Sequence, residues 1–306
     1  MPDNAKDTRR GFLQVAAAGA VAANVASAAA TPALPTVMFG GKHEISRLII
    51  GTNPLMGYSH FNSVLDQCQR EFMTPEQRIK TVLDAEKAGI TTWQLHYHKD
   101  TIAILEGIRA RGSKMKVFLL SDFELQKDFT MIPTLAKLGF LGMAHHGNRT
   151  DDAFRQGKMD TVLDFVKRVK DTGIMAGVSS HNPKVVEWIE DKGWPTDYYM
   201  TCLYHVSRSA EEARALMGGE RPLGETFLEK DPVRMTDVVK KISKPCLAFK
   251  LLGAGRAGAS KAQIETAFRF AYQNIKPGDA AIVGMWPKFK DEIAENCSIV
   301  RQIHSS

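Results

Sequence analysis

The sequence predicts an α/β fold, an eight-stranded (β/α)8 TIM barrel preceded by an N-terminal β-hairpin. Short apolar segments alternate with amphipathic segments of helical length, and eight such strand–helix units follow one another. Glycine often follows the amphipathic segments, where helices end, as at Gly89, Gly112, Gly139, Gly173 and Gly193. Because each unit is too short to bury a core alone, eight units favour a closed barrel.

The elements follow in order from a hairpin over residues 37–45. The predicted strands span 47–52, 91–97, 116–121, 140–144, 174–179, 198–203, 246–251 and 280–284. The predicted helices span 74–88, 101–111, 130–138, 158–172, 183–192, 233–242, 260–275 and 287–303. Thr74 and Pro75 begin the first helix as N-cap and first helical residue. An irregular stretch, 206–232, follows the sixth strand.

The sequence does not contain the glycine pattern of an open dinucleotide-binding sheet. No G-x-G-x-x-G follows the first predicted strand, and Gly253-Ala254-Gly255-Arg256 is too short and too late to replace it. We therefore expect one barrel domain over 37–306, a linker over 31–36, and a signal segment over 1–30.

The first thirty residues have the pattern of an export signal. Arg9 and Arg10 precede Phe12 and an Ala-rich apolar stretch, which contains the small-x-small pattern Ala26-Ser27-Ala28 of a signal-peptidase site. Paired arginines before such a stretch resemble a twin-arginine (Tat) signal. The stretch is short and weakly apolar, which disfavours a spanning helix. The pattern predicts a periplasmic or otherwise exported protein that meets the Tat machinery and has no stable membrane association.

Composition and charge exclude several classes of protein. The chain is 44% hydrophobic and 24% charged, which excludes a disordered or fibrous protein. Its net charge of +6 is dispersed among acidic residues, so we expect no nucleic-acid partner. The four cysteines form no C-x-x-C and are expected to be buried free thiols, at Cys68, Cys202, Cys246 and Cys297.

Histidines collect where the predicted strands end. Six of the nine fall at or just after the carboxyl ends of four strands: His96, His98, His145, His146, His181 and His205. In a parallel barrel those ends open on one face, where active sites lie. Period-two alternation assigns Gln94, His96 and His98 to the barrel interior and mouth, and the residues between them to the helical layer. His145 and His146 are adjacent, so at most one of them points inward.

Clustered neutral imidazoles predict a divalent transition-metal site. His96, His98 and His181 are the preferred ligands, with His146 and His205 as alternates. A single loop histidine is usually a capping or hydrogen-bonded residue, so the metal prediction rests on the six histidines taken together. The identity of the metal is left open.

Further residues at the strand ends are candidates for acid–base chemistry and substrate binding. The acid–base candidates are Asp122, Glu124, Lys250 and Tyr204, and the substrate-binding candidates are Asn53, Gln94, Trp286 and Arg256. Asp122 and Glu124 could instead cap a helix. Lys250 could be a base, an electrostatic clamp or a Schiff-base former, or could pair with one of those carboxylates.

Several segments, in order from Val37 to the C-terminus, resemble the aldo/keto reductase superfamily, whose fold is a (β/α)8 barrel. They are Ile45–Thr52, Gly89-Ile90, Gly177–Ser180, Leu247–Gly253, Ile282–Gly284 and Ile293–Asn296. The resemblance implies hydride transfer from NADPH and a catalytic Tyr assisted by Asp, Lys and His.

The chain departs from this family in the residues that perform the chemistry. Gln94 stands at the Asp position, Leu120-Ser121 lies where the Lys would be, and no tyrosine matches securely. His145 or His146 matches the family's histidine, and Met285-Trp286 replaces the small residues expected after Gly284. Without Lys and Asp, nothing evident lowers the pKa of a tyrosine for the proton relay.

The first functional hypothesis is therefore an exported, metal-dependent lyase, isomerase or hydrolase that acts on a carbonyl or hydroxyl carbon of a small, sugar-like molecule. The first alternative is an NADP-dependent oxidoreductase of the aldo/keto reductase type with an altered proton relay. The second is a periplasmic binding protein without turnover.

Overall fold

Eight parallel β-strands form a closed barrel, and an antiparallel two-stranded hairpin precedes them, which confirms the predicted fold class. The computed structural model describes residues 33–122 and 124–305, and this part of the chain is a TIM barrel. The predicted signal segment lies outside the described residues.

The strands are close to those predicted from the sequence. The hairpin consists of β1 (Thr36–Phe39) and β2 (His43–Ser46). The barrel consists of β3 (Leu48–Gly51), β4 (Thr92–His96), β5 (Lys116–Leu120), β6 (Gly142–His145), β7 (Met175–Ser180), β8 (Tyr198–Cys202), β9 (Cys246–Phe249) and β10 (Ala280–Gly284). Strand β10 pairs with β3 and closes the barrel.

Eight of the helices correspond to predicted helices. They are α2 (Pro75–Lys87), α3 (Lys99–Ala110), α4 (Ile132–Ala136), α6 (Met159–Asp171), α7 (Pro183–Asp191), α9 (Asp231–Lys241), α10 (Lys261–Asn274) and α11 (Glu292–Ser305). Their starts follow from capping: for example, the side chains of Thr74, Asn182 and Ser260 accept hydrogen bonds from the first turns of α2, α7 and α10.

Three further helices were not predicted, since they lie in polar loops after strands. They are α1 (Ser63–Phe72), α5 (Gly147–Arg155) and α8 (Ala210–Leu216). Helix α8 lies within residues 206–232, which were predicted to be irregular. It begins with a capping box formed by Ser209 and Glu212. Short 3-10 helices also span Asn53–Met56 and Phe129–Met131.

The hairpin closes the amino-terminal end of the barrel. The buried Phe39 ring lies with its centroid 5.4 Å from Phe118 and 5.8 Å from Tyr198, both edge-on or tilted within the apolar barrel interior. Edge-to-face aromatic packing adds to the hydrophobic stabilisation of the barrel. One end of the barrel is therefore filled, and the chemistry-bearing residues are left to the other.

The helical layer covers the outside of the barrel as alternation predicts. Trp93 and Leu95 of β4 are buried in the cluster between strands and helices, while Gln94 between them lies on the opposite face. Cys202, Cys246 and Cys297 are buried free thiols, and Cys68 is a half-buried one. Among the described residues, the structure has no helix with the length and apolar character to cross a membrane.

Candidate active site

A cavity of about 320 Å³ lies at the carboxyl ends of β3, β4, β9 and β10. Asn53, Gln94, Lys250 and Trp286 lie on its wall. The amide nitrogen of Gln94 and the indole nitrogen of Trp286 are buried and have no hydrogen-bond partner within the described part of the chain. Because a buried donor without an acceptor is costly, these two groups point to a polar ligand that accepts hydrogen bonds from them.

Arg256, predicted to bind substrate, holds loops together instead of lining the cavity. Its guanidinium carbon lies 3.9 Å from the centroid of the Phe227 ring and 5.0 Å from that of Phe61. Its Nη1 donates to the carbonyl oxygens of His60 and Gly253. The Arg256 guanidinium therefore makes cation–π contacts and hydrogen bonds to the backbone that link three loops.

His96 and His146 lie side by side at the mouth of the barrel. Their ring centroids are 5.6 Å apart, and His96 follows the inward alternation predicted for β4. Burial lowers the pKa of His96, and it lowers the pKa of His146 to about 3 with a further contribution from the charges of His96 and His181. Both imidazoles are therefore neutral at pH 7.

His145 points the other way, into the helical layer. Its Nδ1 lies 2.8 Å from the hydroxyl of Thr150, and its ring packs edge-on against Phe165. Burial lowers the pKa of His145 to about 3. Of the adjacent pair, only His146 therefore turns towards His96 and His181.

His181 is held by a buried carboxylate that the sequence analysis did not identify. Its Nδ1 lies 3.0 Å from Oδ2 of Asp151, which is 1% exposed. The hydroxyls of Ser180 and Ser207 donate to Asp151 over 2.5 Å and 2.7 Å, and the His181 backbone N–H donates over 3.0 Å. Burial alone would raise the pKa of Asp151, but the hydrogen bond and charge of His181, with the serine hydroxyls, lower it. Asp151 is therefore an ionised acceptor.

An ionised carboxylate cannot donate, so Nδ1 of His181 carries the hydrogen and Nε2 is left as the basic nitrogen. Gly147 makes room for this ring, since a Cβ there would lie 2.7 Å from Cε1 of His181. The His181 ring packs edge-on against Phe249, which lines the cavity, with centroids 5.7 Å apart. Phe249 thus lies between the His181 ring and the cavity.

Local hydrogen bonds hold two of the predicted metal ligands, His98 through its ring and His205 through its backbone. His98 lies beyond the end of β4, where alternation no longer applies, and its Nδ1 accepts a hydrogen bond from Asp100 as the N-cap of α3. His205 is anchored through its backbone, whose N–H donates to Asp231 and whose carbonyl accepts from Arg208. Burial lowers the pKa of His205 to about 4.

The two carboxylates after the third barrel strand, Asp122 and Glu124, form hydrogen bonds and ion pairs with neighbouring residues in the same loop. This is close to the alternative that they cap a helix. Asp122 accepts a hydrogen bond of 2.8 Å from the backbone of Leu125. Glu124 is 69% exposed and forms an ion pair with Lys127. Because its side chain is mostly exposed to water and paired with Lys127, Glu124 takes no part in the chemistry proposed below.

No group of three or more His, Cys, Asp or Glu side chains is arranged to hold a metal ion in residues 33–122 and 124–305. The predicted ligands therefore do not come together as one set in the described part of the chain. His98 caps a helix through its Nδ1, whereas the bond from Nδ1 of His181 to Asp151 leaves its Nε2 available. Within the described residues, these donors do not converge in the number that a structural or catalytic transition-metal site needs.

Lys250 lies one residue beyond β9, and the structure does not pair it with Asp122 or Glu124. Its amino nitrogen is buried without a hydrogen-bond partner among the described residues. Burial lowers the pKa of Lys250, against the opposing influence of Cys202 and Glu225. Tyr204, the other predicted acid–base group, packs over Gly253 and against Phe227, and burial raises its pKa.

A hydrogen-bonded chain at the edge of the cavity was also missed. Nε2 of His60 lies 3.1 Å from the Asn53 amide, and Nδ1 lies 2.8 Å from Oε1 of Glu225. His60 and Asn53 line the cavity, and Glu225 comes from the loop after β8. The signal for Asp151 and Glu225 was absent from the sequence, because both lie in polar segments with no periodic pattern. His60 was visible as a histidine but not near a predicted strand end.

Comparisons with known proteins show the fold alone. No protein-family model matches the chain, and no curated protein sequence matches it. The structure is similar to apo Gox0644, with a TM-score of 0.55 at 14% identity over 89% of this chain and 94% of that one. A point mutant of Gox0644 in complex with NADPH matches with a TM-score of 0.55 at 14% identity over 89% and 93% of the two chains.

A truncated 3-deoxy-D-arabino-heptulosonate 7-phosphate synthase from Thermotoga maritima matches with a TM-score of 0.50 at 13% identity, over 90% of this chain and 92% of that one. At such identities, similarity of a barrel carries no activity from one protein to another.

Proposed function

We propose that this chain is an enzyme that performs acid–base chemistry, as a lyase, isomerase or hydrolase, at a carbonyl or hydroxyl-bearing carbon of a small polar substrate. The single observation that carries the proposal is the His181–Asp151 pair beside a cavity with unpartnered donors. A histidine oriented by a buried carboxylate is a competent proton acceptor, because the carboxylate stabilises the imidazolium that forms.

The cavity wall supplies groups for the substrate oxygen. Gln94 and Trp286 each offer a buried N–H group, and Lys250 offers an amino group. Donors aimed at an oxygen on which negative charge develops lower the barrier of enolisation or elimination. A cavity of about 320 Å³ is at the lower end of the usual range of ligand sites, which suits a compact molecule.

The reaction follows from these positions. Nε2 of His181 removes a proton from a carbon or hydroxyl of the substrate, while Gln94, Trp286 and Lys250 stabilise charge on the oxygen. His181 then returns the proton, while the imidazoles of His96 and His146, which burial holds neutral, act through hydrogen bonds.

The proposal is tested by incubating the protein with a panel of hydroxylated aldehydes, ketones, simple sugars and glycosides and following each compound by NMR. We expect consumption of at least one compound by the wild-type chain and its loss in His181→Ala. Binding of a compound with no product after long incubation would instead favour the binding-protein alternative.

We expect the proposed reaction to need no bound transition metal. Because the donor groups do not form a ligand set, we expect elemental analysis of protein purified from its native compartment to find transition metal well below one ion per chain. Activity should survive dialysis against a chelator. A stoichiometric metal whose removal abolishes turnover and whose return restores it would contradict this prediction.

An NADP-dependent oxidoreductase is the second candidate, and the position of the cavity favours it. The cavity lies against the segments that resemble aldo/keto reductases, including Gly284 and Asn296. Against it, the wall carries the Glu292 carboxylate, whose negative charge repels phosphates, and the Trp286 indole. Saturable quenching of Trp286 fluorescence by NADPH, retained by the other three Trp→Phe single variants and lost in Trp286→Phe, would favour this candidate.

We also propose that the chain is exported through the Tat machinery, on the strength of residues 1–30 alone. Replacing Arg9 and Arg10 together by Lys is expected to retain the protein inside the cell. An unchanged distribution between cell fractions would overturn the export proposal without affecting the proposed chemistry.

A further inference from the structure

Lys250 occupies an unusual position for a lysine. It follows β9 directly, and its backbone has φ of 61°, in the left-handed region that residues other than glycine rarely adopt. The N–H of Gly253 donates 2.8 Å to its carbonyl, which closes a tight turn. Backbone strain at a residue in an active-site mouth points to a requirement on its side chain.

The Lys250 amine is buried and has neither a hydrogen-bond acceptor nor a paired carboxylate among the described residues. Glu225, whose charge acts on Lys250, is instead hydrogen-bonded to His60. Cys202 is a buried thiol whose pKa is raised to about 12, so it stays neutral beside the lysine. An unpaired ammonium is costly in such surroundings, whereas a neutral amine is tolerated there and is a nucleophile.

The wall of the same cavity carries groups that can bind a carbonyl compound. The unpartnered N–H groups of Gln94 and Trp286 can hold oxygens, and Phe249 and Ile282 provide apolar wall. Lys290 also lines the cavity but is paired with Glu295, which leaves Lys250 as the unpaired amine on this wall within the described part of the chain. A desolvated lysine facing such a cavity is the arrangement in which covalent catalysis by an amine occurs.

We propose that Lys250 forms a Schiff base with a small hydroxylated aldehyde or ketone, so that the enzyme works by imine catalysis. This inference deepens the proposed function and rests on it. The lone pair of Nζ attacks the carbonyl carbon, and a proton moves from nitrogen to oxygen to give a carbinolamine. The hydroxyl group takes up a second proton and leaves as water, which yields the iminium.

The iminium then accepts the electron pair released when a neighbouring C–H bond breaks, and the proton passes to His181. If a C–C bond breaks instead, His181 takes the proton from the hydroxyl group on the departing carbon, and that fragment leaves as an aldehyde or ketone. Reprotonation of the enamine and addition of water return the free amine and the product. The step needs no oxidant, reductant or further co-reactant.

The test is reductive trapping on the full-length chain. The protein is incubated with dihydroxyacetone, glyceraldehyde or a simple ketose together with cyanoborohydride, and adducts are located by intact-mass measurement and peptide mapping. We expect a single stable adduct on Lys250, which requires the carbonyl compound and is lost in Lys250→Met. Lys244→Met is the matched control, since Lys244 lies at the other end of the same strand and pairs with Glu190; its adduct should be unchanged.

The outcomes separate this inference from the proposed function. Turnover that is lost in His181→Ala but kept in Lys250→Met, with no adduct on Lys250, would overturn imine catalysis and leave the proposed function standing. An adduct spread over surface lysines in proportion to their exposure would also overturn it. Thermal unfolding of Lys250→Met shows whether the variant is folded; if it is not, the position of the adduct in the wild-type chain decides the question.

Discussion

Replacing Asp151 by Asn is expected to lower kcat by about 10²- to 10⁴-fold while leaving KM within a few-fold of wild type. The carboxylate does not touch the cavity, so substrate binding should persist. Its loss allows His181 to take the other tautomer and removes the charge that stabilises the imidazolium. Turnover of a compound identified in the NMR panel measures the effect.

Asp152→Asn is the matched control, because the neighbouring carboxylate is partly exposed and pairs with Arg155 at the surface. It should leave kcat unchanged, and Asp151→Glu should restore part of the lost rate. A change confined to stability, or equal losses of kcat in both Asn variants, would show that Asp151 has no part in positioning His181.

The second large effect is a loss of stability in mild acid. His145, His146 and His205 have pKa values lowered by burial to about 3, 3 and 4, whereas unfolded histidine titrates near 6.5. Between those values the unfolded chain binds more protons than the folded one, so stability is present above pH 6.5 and falls as the pH drops. Below pH 6.5, each imidazole lowers the free energy of unfolding by about 1.4 kcal/mol for every pH unit. The combined loss from three imidazoles becomes comparable to the stability of a typical domain as the pH falls.

Urea unfolding at pH 7 and pH 5 measures this loss. His145→Gln should reduce the pH dependence by the share of one imidazole, because it removes one titrating group. Thr150→Val, which removes the partner of His145 without removing a titrating group, should lower stability about equally at both pH values. Equal unfolding midpoints of the wild-type chain at pH 7 and pH 5 would refute the assignment of these buried neutral histidines.

The fold could be predicted from the sequence because its signals are local. Apolar alternation marks β4, where Trp93 and Leu95 face the helices, and an N-cap with Pro75 marks the start of α2. Helices α1 and α5 were missed because each lies in a polar loop between a strand and a longer helix. Their positions depend on the packing of the loops across the barrel mouth.

The sequence could predict which end of the barrel carries the site, but not how its side chains are arranged. The carboxyl ends of parallel strands meet, which placed Gln94 and Lys250 on the cavity wall and His96, His146 and His181 near one another. The direction of a side chain beyond a strand end is set by the loop, so His98 became a helix cap. The partner of His181 lies 30 residues away on α5, and no spacing rule connects them.

The most direct test of the acid–base mouth is deuterium incorporation into a hydroxylated aldehyde or ketone in D₂O, followed by NMR. The account predicts that the wild-type chain exchanges the hydrogen next to the carbonyl far faster than buffer does, that Asp152→Asn does the same, and that Asp151→Asn and His181→Ala do not. Exchange at the buffer rate with every compound of the panel, or full exchange by His181→Ala, would contradict it.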